Sequence, residues 1–235
     1  MQAIILAGGK GTRLRPFTTV IPKPLMPIDD MPILEVIMRQ LKHFGVQNVV
    51  ISLNHLADLM MAFFQKGEKL GLDISYAIED KALGTAGPLS IIENLEETFI
   101  VMNADLLTTI DYGNLINFHK ENGFDATIST FKKEVTISLG VIQSEGNNFV
   151  DYIEKPTYKF DVSMGIYVFN RSVVEYIPRN KRMDIPELIL KLKENNKRIG
   201  CYRADYDWLD IGKFDDYEKA VSAFKEKRSE FLRNG

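Results

Sequence analysis

The first 25 residues constrain this chain more than any other stretch. Ile4-Ile5-Leu6 is an apolar run that suits a short buried strand, and it empties into Gly8, Gly9 and Gly11, three glycines within four residues. A strand opening into such a turn lets backbone N–H groups close on an anion with no Cβ atoms in the way. Lys10, Arg13, Arg15 and Lys23 supply positive charge around it. Pro22 and Pro24 flank Lys23 and bias Ile21 and Lys23 towards extended backbone, so Lys23 is expected to project from a stiff extended segment. These are the parts of a triphosphate-binding loop.

Two common phosphate motifs do not fit. A P-loop requires Gly-x-x-x-x-Gly-Lys-Ser/Thr, and neither Gly8 nor Gly9 starts that spacing. A dinucleotide fingerprint counted from Gly9 needs glycine at position 14, where Leu14 stands. What does fit is the whole composite: a strand, Leu6-Ala7-Gly8-Gly9-Lys10-Gly11-Thr12-Arg13-Leu14-Arg15-Pro16, then Pro22-Lys23-Pro24. It resembles the signature of the sugar-1-phosphate nucleotidyltransferases, also called nucleotide-sugar pyrophosphorylases. Among them it is closest in motif to mannose-1-phosphate guanylyltransferase-like members.

Composition leaves that reading room and removes others. At 235 residues with 45% hydrophobic and 26% charged residues, the chain is long enough to bury a large core. Its net charge of −3 gives no global basic field for nucleic acid or an anionic membrane. The one cysteine, Cys201, rules out an internal disulfide and fits a reducing compartment. No signal-peptide pattern or membrane-length apolar run is visible, so a cytoplasmic protein is expected.

Strand and helix patterns alternate through the first half, which argues for parallel βαβ units. Strands are expected over 2–6, 48–53, 74–78 and 99–102, with helices near 33–44, 56–66 and 85–94. Shorter strands follow over 125–131, 139–143, 149–154, 162–169 and 199–204, read as a mixed, partly antiparallel extension of the same sheet. Helices are expected over 184–194 and 214–232. With no linker or repeat, residues 1–235 read as one domain. The expectation is an α/β fold: a Rossmann-like nucleotidyltransferase core, its mostly parallel central sheet flanked by helices, with a mixed β extension for the sugar. Ligands of such sheets lie at the carboxyl ends of strands, where Leu6–Thr12, Glu79 and Asp105 all fall.

The resemblance implies attack of a sugar-1-phosphate oxygen on the α-phosphorus of a nucleoside triphosphate, with pyrophosphate leaving. The attacker is already an anion, so cations, positioning and a metal are needed rather than a general base. On this reading Arg13 clamps the β/γ phosphates and Lys23 lies across the α-phosphate and the sugar phosphate. Leu6, Ala7, Gly8, Gly9, Gly11 and Thr12 line the nucleotide, joined by Glu79, Gly84 and Thr85. Asp105, in Asn103-Ala104-Asp105, and Asp210, in Trp208-Leu209-Asp210-Ile211-Gly212, match the family's metal aspartates and imply Mg²⁺. Glu154-Lys155-Pro156, Gly140 and Gly165 match its sugar-phosphate residues. Ser163 stands where the family usually has asparagine, which leaves the sugar, a hexose or a heptose, undetermined.

Base choice falls to residues 79–87. Leu83-Gly84-Thr85-Ala86-Gly87 resembles the guanylyltransferase form, and Glu79 stands where thymidylyl- and uridylyltransferases carry glutamine. A carboxylate can accept from both N1–H and the 2-amino group of guanine, so GTP leads, with dTTP, UTP or CTP as alternatives. A non-catalytic sensor on this fold should have lost Arg13, Lys23 or an aspartate, and all are present. The expected partners are a nucleoside triphosphate and a sugar-1-phosphate, without nucleic acid or membrane, and a homodimer is left open. The long C-terminal extensions of some relatives are absent from this sequence, so allosteric or bifunctional behaviour is not expected.

Overall fold

Gln2–Leu6 (β1) is buried at nearly every position because it lies in the middle of a sheet covered on both faces. A computed structural model describes residues 1–233. After β1 come the short hairpin strands Pro27–Ile28 (β2) and Met31–Pro32 (β3), then the helix Ile33–His43 (α1). Gly45, at φ 81°, ends α1 with its N–H on Lys42 O, as expected of a C-terminal cap. Asn48–Leu53 (β4), Ala57–Phe64 (α2) and Asp73–Ile78 (β5) complete the first parallel units. Thr98–Asn103 (β6), Leu106–Thr108 (β7) and Tyr112–Glu121 (α3) follow.

The remaining elements are Ala126–Thr136 (β8), Val141–Glu145 (β9), Asn148–Ile153 (β10), Thr157–Asn170 (β11) and Ile185–Glu194 (α4). Ile199–Tyr202 (β12), Trp208–Asp210 (β13), Phe214–Glu226 (α5) and Arg228–Leu232 (α6) close the chain. The main sheet runs β12-β8-β11-β6-β1-β4-β5. β6, β1, β4 and β5 are parallel, β11 is antiparallel to both β6 and β8, and β12 is parallel to β8. This is the α/β architecture expected. Alternation along the central strands splits the core: Ala3, Ile5, Ile100 and Met102 face α1 and the C-terminal helices, while Ile4, Phe99 and Val101 face α4.

Several expectations are corrected. Residues 85–94 make only a 3-10 segment, Gly87–Ile91, because the N–H groups of Ala86 and Gly87 both go to Met183 O across the chain. The helix expected over 214–232 breaks at Lys227 into α5 and α6. β9 and β10 do not join the main sheet; they pair only with each other, on an arm carried by the outer halves of β8 and β11. α3, β7 and β13 were not anticipated. No helix among the described residues is long and apolar enough to cross a membrane.

Candidate active site

β1 delivers the glycine turn to the carboxyl edge of the sheet, and the turn folds onto itself there. Gly11, left-handed at φ 59°, accepts from Leu14 N at 2.9 Å and from Thr18 Oγ1 at 2.7 Å. A Cβ on Gly11 would stand 2.9 Å from Thr18 Cγ2, so only glycine makes this turn without displacing Thr18. The segment around Lys23 is not extended as expected: Lys23–Leu25 forms a single 3-10 turn, closed by Met26 N on Lys23 O. That turn buries Lys23, and its ammonium pairs with Asp105 Oδ2.

Asp105 and Asp210 arrive from elements 105 residues apart and meet because β13 pairs antiparallel with β7. Asp210 lies opposite Leu106, and Ile211 N donates to Asp105 O at 3.2 Å. Desolvation by the surrounding walls, then the Asp105 carboxylate, push the Asp210 carboxyl above its ordinary range; Lys23 and Arg13 pull it back. Arg13 is exposed on the glycine turn and its guanidinium reaches the Asp210–Gly212 turn, 3.2 Å from where a Gly212 Cβ would lie. Two cations and two carboxylates, widely separated in sequence, therefore share one small volume.

Two adjoining hollows of about 230 and 330 Å³ open along this edge, and Leu6, Gly9 and Asp105 line both. They are two ends of one cleft. Ala7, Gly11, Thr12, Arg13 and Lys23 line one end; Gly8, Glu79, Gly84, Thr85, Asn103 and Arg182 line the other. The first end has the composition of a phosphate site. The N–H groups of Gly8, Gly9, Lys10 and Gly11 take no protein acceptor among the described residues, and Arg13 and Lys23 stand beside them.

At the second end Glu79 is buried, only 6% exposed, instead of facing solvent. Its Oε1 accepts from Ser52 Oγ and its Oε2 from Leu83 N, both at 2.8 Å. The carboxylate expected to read the base thus also ties the loop after β5 to β4. Ser52 and Asn54, whose side chain donates to Glu79 O, were missed by sequence reasoning, as were Arg182 and Asn103. Only Asn103, inside Asn103-Ala104-Asp105, carried a signal. The others lie outside every motif.

The sugar-phosphate candidates divide. Gly165 interrupts β11 and packs against the Asn103 side chain of the cleft wall. Gly140 packs against Tyr152 where the arm's hairpin begins. Glu154 and Lys155 follow β10 on the arm, more than 60% exposed, 3.8 Å from each other, and line neither end of the cleft.

For a divalent cation, the donor set fits Mg²⁺, which takes one or two protein carboxylates and completes its shell with phosphate and water. Asp105 and Asp210 supply two, at the phosphate end. No group of three or more metal-ligating side chains occurs among the described residues, so a closed, all-protein cage of the structural-zinc kind is not built here.

Known proteins resemble this chain along most of its length. The nucleotidyl transferase family model matches residues 2–227. The UTP–glucose-1-phosphate uridylyltransferase of Synechocystis sp. is 34% identical over 94% of this chain and 62% of its own length. The mannose-1-phosphate guanylyltransferase catalytic subunit beta of Dictyostelium discoideum is 32% identical over all of this chain and 68% of its own length. The chain thus spans about two thirds of these relatives. Among solved structures, HddC from Yersinia pseudotuberculosis, complexed with GMP-PN, superposes with a TM-score of 0.73 at 28% identity, covering 95% of this chain and 99% of that one. By the family match and by these relatives, the chain belongs to the nucleotidyl transferase family.

Proposed function

We propose that this chain, acting as one domain, transfers a nucleotidyl group from a nucleoside triphosphate to a sugar-1-phosphate and releases pyrophosphate. The observation that carries the proposal is the convergence of Arg13, Lys23, Asp105 and Asp210 at one end of a cleft floored by the glycine turn. A sugar-phosphate oxygen attacks the α-phosphorus, the bond to the β-phosphate bridge breaks, and the electron pair leaves with pyrophosphate. No proton has to be removed from the attacking oxygen. Arg13, whose fork matches two phosphate oxygens, holds the β and γ groups and neutralises the charge that grows on them. Lys23 has three N–H donors: one serves Asp105, and two remain for the α-phosphate and the incoming phosphate. A Mg²⁺ ion held by Asp105 and Asp210 would supply further neutralisation of the same phosphates. Glycine N–H groups keep the triphosphate against the turn and exclude water from its near side.

The triphosphate we favour is GTP. Glu79 supports it, because a fixed carboxylate has lone pairs left for the two adjacent donors of guanine, whereas uracil or thymine presents a carbonyl there. UTP is the second reading, and the identity to a uridylyltransferase favours it. On the sugar side, Gly140, Glu154, Lys155 and Gly165 are our candidates, Lys155 for the phosphate and Glu154 for hydroxyls. Measuring pyrophosphate release from four nucleoside triphosphates against a panel of sugar-1-phosphates tests the proposal. Release requiring both substrates, and greatest with GTP, is expected; release from none overturns it.

A further inference from the structure

Asp184 stands at the N-cap of α4, where an aspartate ordinarily accepts from the first free N–H groups of its own helix. Here it makes no such bond. Its Oδ1 accepts from Thr85 N at 3.0 Å and Thr85 Oγ1 at 3.4 Å, and its Oδ2 pairs with Arg182 Nη2 at 3.0 Å. In exchange the Thr85 hydroxyl accepts from Ile185 N at 2.8 Å, so it caps α4 from 100 residues away. The cap has been traded across the chain. Met183 reinforces the exchange, donating to Leu83 O and accepting from Ala86 N and Gly87 N.

The exchange has a direction. Residues 79–86 have no helix or strand of their own, yet Glu79, Gly84 and Thr85 line the second end of the cleft. Gly84, at φ 80°, sits so close that a Cβ would lie 2.6 Å from both Asp184 Oδ1 and Met183 O. A helix that gives up its own cap to hold an irregular loop is serving the loop.

We infer that Asp184 is a positioning residue for the nucleotide: it fixes the Gly84–Thr85 wall of the cleft and aims Arg182 along it. This rests on the proposed nucleotidyl transfer, since the wall it fixes is the one assigned to the base. Without the Asp184 carboxylate, Thr85 N–H loses its partner and the wall is held only through Met183 and the Thr85 hydroxyl, although Arg13, Lys23 and the metal aspartates stay where they are.

Two variants separate the roles of the carboxylate. Asp184→Asn retains an oxygen for Thr85 N–H and loses the ion pair with Arg182; Asp184→Ala loses both. Binding of GTP and UTP in the presence of Mg²⁺ is measured by calorimetry, alongside the KM for each substrate in pyrophosphate release. For Asp184→Ala, nucleotide Kd and KM should rise about 10-fold, the equivalent of one part-buried hydrogen bond, with the KM for sugar-1-phosphate unchanged. Asp184→Asn should restore at least half of that loss. A merely structural role would lower the melting temperature of both variants and move the two KM values together, or neither. Unchanged nucleotide binding by a folded Asp184→Ala protein overturns the inference alone. Wild-type protein that binds neither triphosphate overturns the inference and the proposed reaction together; wild-type protein that binds but releases no pyrophosphate removes the reaction and leaves the positioning role to be judged by Kd.

Discussion

The phosphate end of the cleft and the β9–β10 arm carry the two halves of the proposed chemistry, and they are built in opposite ways. At the phosphate end Lys23 is buried and already paired, Gly11 is locked against Thr18, and Asp105 O accepts from the N–H of Ile211, the residue after Asp210. On the arm Glu154 and Lys155 are exposed, and among the described residues their side chains pair only with each other. Of the seventeen large apolar residues exposed among the described residues, nine lie between Val135 and Phe160, so the arm is surface on nearly every side. A triphosphate site can be assembled in advance, because the same phosphates are present in every substrate and preorganised charge costs nothing at the moment of reaction. Sugar recognition on an exposed hairpin is easily varied without disturbing that machinery.

If that contrast is right, losses should be severe at one end and selective at the other. Removing divalent cations with a chelator should abolish pyrophosphate release, and Asp105→Asn or Asp210→Asn should raise the Mg²⁺ required for half-maximal rate. Full activity in metal-free buffer would break the assignment. Arg13→Ala and Lys23→Ala should each lower kcat by roughly 10²- to 10³-fold at saturating substrates, the range for losing one preorganised charge. Their melting temperatures should differ: Arg13 is exposed and its loss silent, whereas losing Lys23 strips Asp105 of its partner.

On the arm, Lys155→Ala or Glu154→Gln should raise the KM for sugar-1-phosphate about 10-fold, one charge-assisted hydrogen bond, and leave the nucleotide KM alone. A change in nucleotide KM instead would dissolve the division between the two regions. Glu79→Gln should narrow the ratio of kcat/KM for GTP over UTP by roughly 10-fold, because a polar mismatch at a buried group discriminates strongly. A ratio that stays put would reduce Glu79 to its bonds with Ser52 and Leu83.

The smallest effect belongs to the ends of β8 and β11 farthest from the arm. His119 is buried between Thr127 of β8 and Asn170 at the end of β11, its Nδ1 2.9 Å from Thr127 Oγ1 and its Nε2 3.0 Å from Asn170 Oδ1. Burial holds its pKa below the ordinary 6.5, against the pull of Asn170 and Asp125. The unfolded chain therefore binds a proton near pH 6.5 that the folded chain refuses until lower pH. Stability should be complete above pH 6.5, fall as pH drops below it, and level off beneath the folded value. The melting temperature should drop by roughly 2–4 °C per kcal/mol lost, and His119→Gln should flatten that part of the profile. An equal slope in the variant would assign the pH dependence elsewhere.

How much of this was readable beforehand follows the range of the interactions. The glycine turn, Arg13 and Lys23 are local, and their spacing announces them. Asp105 and Asp210 were legible as motifs, but the β7–β13 pairing that joins them was not, since strands of three residues leave no periodicity to read. α3 was missed although Asp111 caps it through Asn114 N, because Gly113 and the interleaved polar residues blur its apolar face. The 3-10 segment after Thr85 could not be seen locally either: its shape is set by Met183, whose carbonyl takes the N–H groups that a helix would have used. Ser52 and Asp184 escaped for the same reason, each acting on a residue 27 or 99 positions away.

One measurement tests the central claim, that this cleft passes a nucleotidyl group to a phosphate. GTP labelled on its α-phosphate is incubated with Mg²⁺, a sugar-1-phosphate panel and wild-type or Arg13→Ala protein, and the label is followed by chromatography. The label should move into a nucleoside diphosphate sugar with the wild type, while label on the γ-phosphate leaves as pyrophosphate, and both transfers should nearly vanish with Arg13→Ala. Label recovered as nucleoside monophosphate or diphosphate with no sugar attached, at a rate indifferent to the sugar-1-phosphate, would contradict it and make the site a hydrolase.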